Sequence, residues 1–96
     1  MPPGGVNSPS WQVVRRASFE ERVAELQRIP RIEIVIEGVE RTLARDPSQG
    51  RRVGDTELWY WPAADDASLE MLTVYYTVDE RRRRVFLMYV VQGPPL

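Results

Sequence analysis

Apolar positions in the last third of the chain fall in two blocks. Leu72, Val74, Tyr76 and Val78 alternate with Met71, Thr73, Tyr75 and Thr77, and after Asp79, Glu80 and four arginines every position from 85 to 91 is apolar. β-branched and aromatic residues at period two mark strands, and a strand apolar on both sides marks an interior one. The two blocks predict a hairpin, with Leu72, Val74, Tyr76 and Val78 on the core face. In the last strand, Val85, Leu87, Tyr89 and Val91 would alternate with Phe86, Met88 and Val90. Upstream, Leu58 and Tyr60 oppose Trp59 and Trp61 in a strand over 56–61 that Pro62 stops, leaving 63–67 as a polar loop.

The first half of the chain changes period. Residues 11–15, with Trp11, Val13 and Val14, read as a short strand. Ser18 and Glu21 have the spacing of a capping box. Phe19, Val23 and Leu26 continue at helical spacing, which predicts a helix over about 19–28, ended by Pro30. The next segment is ambiguous, because Ile32, Ile34 and Ile36 alternate as a strand would. Ile32, Ile36, Val39 and Leu43 nevertheless form one helical stripe behind Pro30, and a second helix over about 31–45 is favoured. Gly38 inside it costs roughly 1 kcal/mol relative to alanine, which points to a close crossing of another element.

The resulting order is β-α-α-β-β-β, an α+β domain with a small, mostly antiparallel sheet of four strands and two helices packed on one face. Two helices cover only one face of such a sheet, so large side chains are left on the other. Trp59, Trp61 and Tyr75, with nearby arginines, are assigned to that open face as a partner-binding surface; core or dimer packing is the alternative.

With 96 residues the chain holds one domain, taken as 11–92, after a Pro- and Gly-rich segment (1–10) expected to be disordered and before a short tail (93–96). The absence of cysteine and histidine removes disulfides, thiolate metal sites, the imidazole base and the Ser-His-Asp arrangement. Asp65 and Asp66 are adjacent carboxylates without a third ligand nearby, so no metal is expected, and no cofactor motif is found. No apolar run reaches the roughly 18 to 20 residues of a membrane span and the N-terminus lacks a leader pattern, so a cytoplasmic protein is expected. All 13 basic residues are arginine, against 14 acids, for a net charge of −1. Nucleic acid binding would therefore need a local patch. Arg81, Arg82, Arg83 and Arg84 read as a solvated hairpin end balanced by Asp79 and Glu80, or else as a contact to RNA, the ribosome or an acidic partner; Arg51 and Arg52 invite the same two readings.

Several of these pieces resemble the RelE/ParE toxin superfamily. They are a helix end with Leu43, Pro47 and Gly50 in the pattern Leu-x-x-x-Pro-x-x-Gly, an aromatic strand around Trp59, and the hairpin strand 73–79 with Tyr75 and Asp79. The resemblance covers about residues 11–91. It implies a toxin of a type II toxin-antitoxin pair, held inactive by a cognate antitoxin, with messenger RNA on the ribosome or DNA gyrase as the target. The arginine that opens the hairpin motif in relatives is Thr73 here, and the basic C-terminal group is replaced by residues 92–96. Catalytic candidates are then Arg51, Arg52, Arg83 and Tyr75, with Tyr76 and Tyr89 acid candidates by location only. Trp59, Trp61, Tyr75, Arg82 and Arg84 are the partner-binding candidates. A ribonuclease needs a base near the 2′-hydroxyl and cations on the phosphate, so little RNA cleavage is expected from this set.

Overall fold

A computed structural model describes residues 11–65 and 70–95. The elements are β1 (Gln12–Arg15), α1 (Ala17–Glu25), α2 (Ile32–Arg45), a 3₁₀ turn (Pro47–Gln49), β2 (Arg51–Arg52), β3 (Trp59–Asp65), β4 (Glu70–Asp79) and β5 (Arg84–Gln92). The expected N-terminal disorder over 1–10, and Asp66 of the carboxylate pair, lie outside the described residues. No described helix is long and apolar enough to cross a membrane.

The sheet is mixed and has five strands in the order β1-β5-β4-β3-β2, with β1 parallel to β5 and the remaining pairs antiparallel. The added strand is the two-residue β2, too short to leave a periodic trace. Residues 32–40 are helical, and the stripe Ile32, Ile36, Val39 and Leu43 is buried. Together with Phe19, Val23, Leu26 and Ile29 it packs on Leu72, Val74, Tyr76, Val85, Leu87 and Val90 in one core cluster. Both helices thus cover the same face. Arg15 of β1 binds Glu40 of α2 through Nε–Oε2 (2.8 Å) and Nη2–Oε1 (3.1 Å), a bidentate pair at the rim of this core.

Four local expectations are corrected. Ser18 does not cap α1: the helix begins at Ala17 without a side-chain cap, and the Ser18 hydroxyl donates instead to the Met88 carbonyl at 2.5 Å. The reason is the short β1, which pairs only with residues 84–87 of β5. Beyond it the β5 edge is bonded by α1, through Ser18 and through Arg22 Nε to the Val90 carbonyl (3.1 Å). Pro62 does not stop β3. β2 flanks only Trp59 and Tyr60, so Pro62 lies on an edge where its missing N–H costs no ladder bond. Gly38 marks no close crossing, because a Cβ there would meet nothing nearer than the tip of Arg41, at 3.9 Å. The alternation expected for β5 breaks at Met88. Tyr75 pairs with Tyr89 but Tyr76 pairs with Leu87, so Met88 is an extra residue. Val85, Leu87 and Val90 therefore face the core, and Tyr89 turns to the open face, 44% exposed.

Candidate functional site on the open sheet face

Register sorts the aromatic residues onto two faces. Trp59 opposes Tyr76 and Trp61 opposes Val74, whereas Tyr60 opposes Tyr75. Directly opposed residues of an antiparallel pair share a face. Trp59 and Trp61 therefore lie on the helix-covered face and pack against the core, contrary to their expected place beside Tyr75. The Trp59 ring stacks on Tyr76 with centroids 6.2 Å apart, and Trp61 borders a shallow hollow under α2 with Gly38, Val39 and Thr42.

What the open face carries instead is a row of tyrosines. Arg51, Tyr60, Tyr75 and Tyr89 are successive cross-strand neighbours on β2, β3, β4 and β5. The Tyr60 and Tyr75 rings are 6.3 Å apart and tilted by 49°. Guanidinium groups flank the row: Arg51 extends it on β2, and Arg22 of α1 lies 5.8 Å from the Tyr89 ring. In the next row Arg16 stands 4.5 Å over Phe86. A cavity of about 610 Å³ opens over this face, lined by Leu58, Tyr60, Tyr75, Met88, Tyr89 and Pro95 together with residues 52–54. Aromatic faces with hydroxyl tips suit a segment that is apolar in part and hydrogen-bonding in part.

The segment after β5 folds back toward this row. Gly93, at φ 106°, lies in a region that favours glycine. Its N–H donates to the Met71 carbonyl (2.8 Å) and its carbonyl accepts from the Thr73 hydroxyl (2.8 Å). Thr73 belongs to the open face by parity, opposite Pro62 and Val91, yet it is fully buried.

The proposed catalytic set does not converge. Tyr75 and Arg51 share the tyrosine row. Arg52 borders the open-face cavity, but its guanidinium turns to the other face and stacks on Trp59 at 5.4 Å, and Arg83 stacks on Trp11 at 4.6 Å in the hairpin loop. Arg82 and Arg84 are exposed at that hairpin end, away from the row, with the Arg82 N–H donating to Asp79 (3.2 Å). The hollow into which Arg52 turns beside Trp59 has Asp46, Glu57 and Glu80 in its wall, one cation against three carboxylates, and this repels a phosphodiester. Hydrogen bonds from the Ser48 hydroxyl and amide hold the Asp46 carboxyl below the usual carboxylate range. Tyr76 is a structural residue rather than an acid: its hydroxyl donates to the Pro47 carbonyl (2.6 Å), and burial raises its pKa to about 12. A group titrating there is poorly matched to proton transfer near neutral pH.

Tyr60 is the member of the row that sequence reading passed over, because its neighbours Trp59 and Trp61 are equally apolar and mask the alternation. No protein-family model, curated protein or solved structure matches this chain.

Proposed function

We propose that the chain is the toxin, or a toxin-derived member, of a type II toxin-antitoxin pair with a RelE/ParE-like fold, and that its open sheet face binds the cognate antitoxin. The observation that carries this reading is the meeting of the motif pieces behind the resemblance. Leu43 is fully buried, the Pro47 carbonyl accepts from Tyr76, Gly50 lies against the Tyr76 ring, and Trp59 stacks on the same ring. Pieces scattered over the chain thus form one packed unit, which supports a shared fold rather than chance matches of short patterns.

The partner surface in this reading is Tyr60, Tyr75 and Tyr89 with Arg51 and Arg22, where aromatic anchors and guanidinium groups adjoin. Residues of these types carry much of the energy in protein interfaces. The dispersal of Arg51, Arg52 and Arg83 favours a second reading over an RNA-cleaving enzyme, namely an interaction module that keeps the fold without the chemistry.

Inducible expression tests the proposal. Growth arrest relieved by co-expressing an acidic product of the adjacent reading frame is the expected result, with Tyr75→Ala and Tyr89→Ala weakening the complex. Neither arrest nor complex would refute the toxin reading. A complex without arrest selects the idle module. Codon-positioned cuts in translated RNA, mapped by primer extension and lost on Arg51→Ala, would establish the enzyme instead.

A further inference from the structure

The open-face groove already has a proline-bearing segment at its wall, and that segment belongs to the chain itself. Pro95 lines the cavity beside Tyr60, Tyr75 and Tyr89. Two hydrogen bonds at Gly93 direct the chain there, and one of them comes from Thr73, a hydroxyl buried on a sheet face that no helix covers. Proline-rich segments hold an extended helix without internal hydrogen bonds, and aromatic-lined grooves recognise them by packing ring against ring while hydroxyl groups bond the free carbonyls. Tilted tyrosine rings set side by side, with Met88 among them, supply that surface.

We propose that the tyrosine groove binds extended, proline-bearing peptide segments, and that Pro95 holds one end of it in cis as a plug which an incoming segment displaces. The inference rests on the open face being the docking face, as above, and specifies what docks there; the groove chemistry itself is independent of any toxin activity. A cis plug lowers apparent affinity by the fraction of molecules in which the groove is open. Weakening the plug therefore tightens binding in trans.

The probe is a fluorescently labelled decaproline peptide titrated into the full chain and followed by anisotropy. Thr73→Val removes the donor to the Gly93 carbonyl at nearly constant volume, and Pro95→Gly removes the competing ring. Each is expected to lower the dissociation constant by about tenfold, the signature of a groove closed most of the time. Adding Tyr75→Ala, or Tyr89→Ser at a more exposed position should the first not fold, is expected to abolish binding. In the wild-type chain, saturating peptide is expected to release the Gly93 amide, read as faster hydrogen exchange at that residue. Equal affinities for wild type and plug variants, absence of binding in all of them, or binding that survives both tyrosine changes would overturn the proposal. An antitoxin complex that forms while decaproline fails to bind would overturn this proposal and leave the docking-face reading standing, and the absence of growth arrest leaves the peptide result standing.

Discussion

Gly50 and Tyr76 are coupled through space, and substituting them singly and together tests how the 3₁₀ turn is held on the sheet. Gly50 has φ −77° and ψ −168°, a backbone geometry open to any residue, so alanine meets no conformational barrier there. The obstacle is steric. A Cβ at Gly50 would lie 2.6 Å from the Tyr60 carbonyl oxygen and 3.0 Å from Tyr76 Cζ, and closer still to the Tyr76 hydroxyl. Overpacking of this kind costs about 1–3 kcal/mol, against a gain of about 0.4–1 kcal/mol from a stiffer unfolded chain. Tyr76→Phe alone removes the hydroxyl that donates to the Pro47 carbonyl and leaves a buried acceptor bare, at a cost of about 1–3 kcal/mol. In the double variant the hydroxyl clash is gone while the Tyr60 carbonyl remains. The two costs should therefore fall short of additivity by about 1 kcal/mol, with the double variant more stable than the sum predicts. Urea unfolding of the four proteins measures this directly. Additivity within about 0.5 kcal/mol would refute the packing account. Tyr76 also sets an alkaline limit. Its hydroxyl titrates at about 12 in the fold, because burial disfavours the phenolate, against about 10 in an unfolded chain. Its contribution is fully present below pH 10 and lost as pH rises toward 12, so wild type and Tyr76→Phe should converge in stability across that window.

Gly38→Ala fills open space on α2 and should stabilise the protein by about 0.5–1 kcal/mol in thermal or urea unfolding; a loss of stability would mean that α2 tolerates no added methyl. Trp59→Ala should lower the unfolding free energy by about 2–3 kcal/mol, less than the 3–5 kcal/mol of a fully buried aromatic because Trp59 is half-buried, while binding at the open face changes little. Tyr75→Ala should show the opposite pattern, and identical effects on folding and binding would undo the division into two faces. Deleting Met88 removes the bulge and lets Leu87, Tyr89 and Val90 follow Tyr76, Tyr75 and Val74 without interruption, so each keeps its face and the variant should unfold at nearly the same urea concentration as Met88→Ala; a markedly lower midpoint would mean that the bulge itself is needed by the fold.

Periodicity determined the first helix and the inner face of β4 and, with Pro30 ahead of it, the second helix, because Ile32, Ile36, Val39 and Leu43 recur at helical spacing and Leu72, Val74 and Tyr76 alternate with less apolar neighbours. Both signals are local, and burial then obeys them. Where every position is apolar the signal vanishes. Over 85–91 no polar residue records the change of face at Met88, and over 58–61 aromatic residues occupy both parities, so only pairing with Tyr76 and Val74 placed Trp59 and Trp61 on the core side. Local chemistry was also overridden by distant partners. Ser18 gave up a capping role for the Met88 carbonyl, 70 residues away, because β1 ends early and leaves that edge of β5 unpaired. Pro62 sits within a strand because β2 stops at Tyr60. The tyrosine row draws residues from three strands, and only a strand register can bring together side chains that chain order keeps 14 to 29 residues apart.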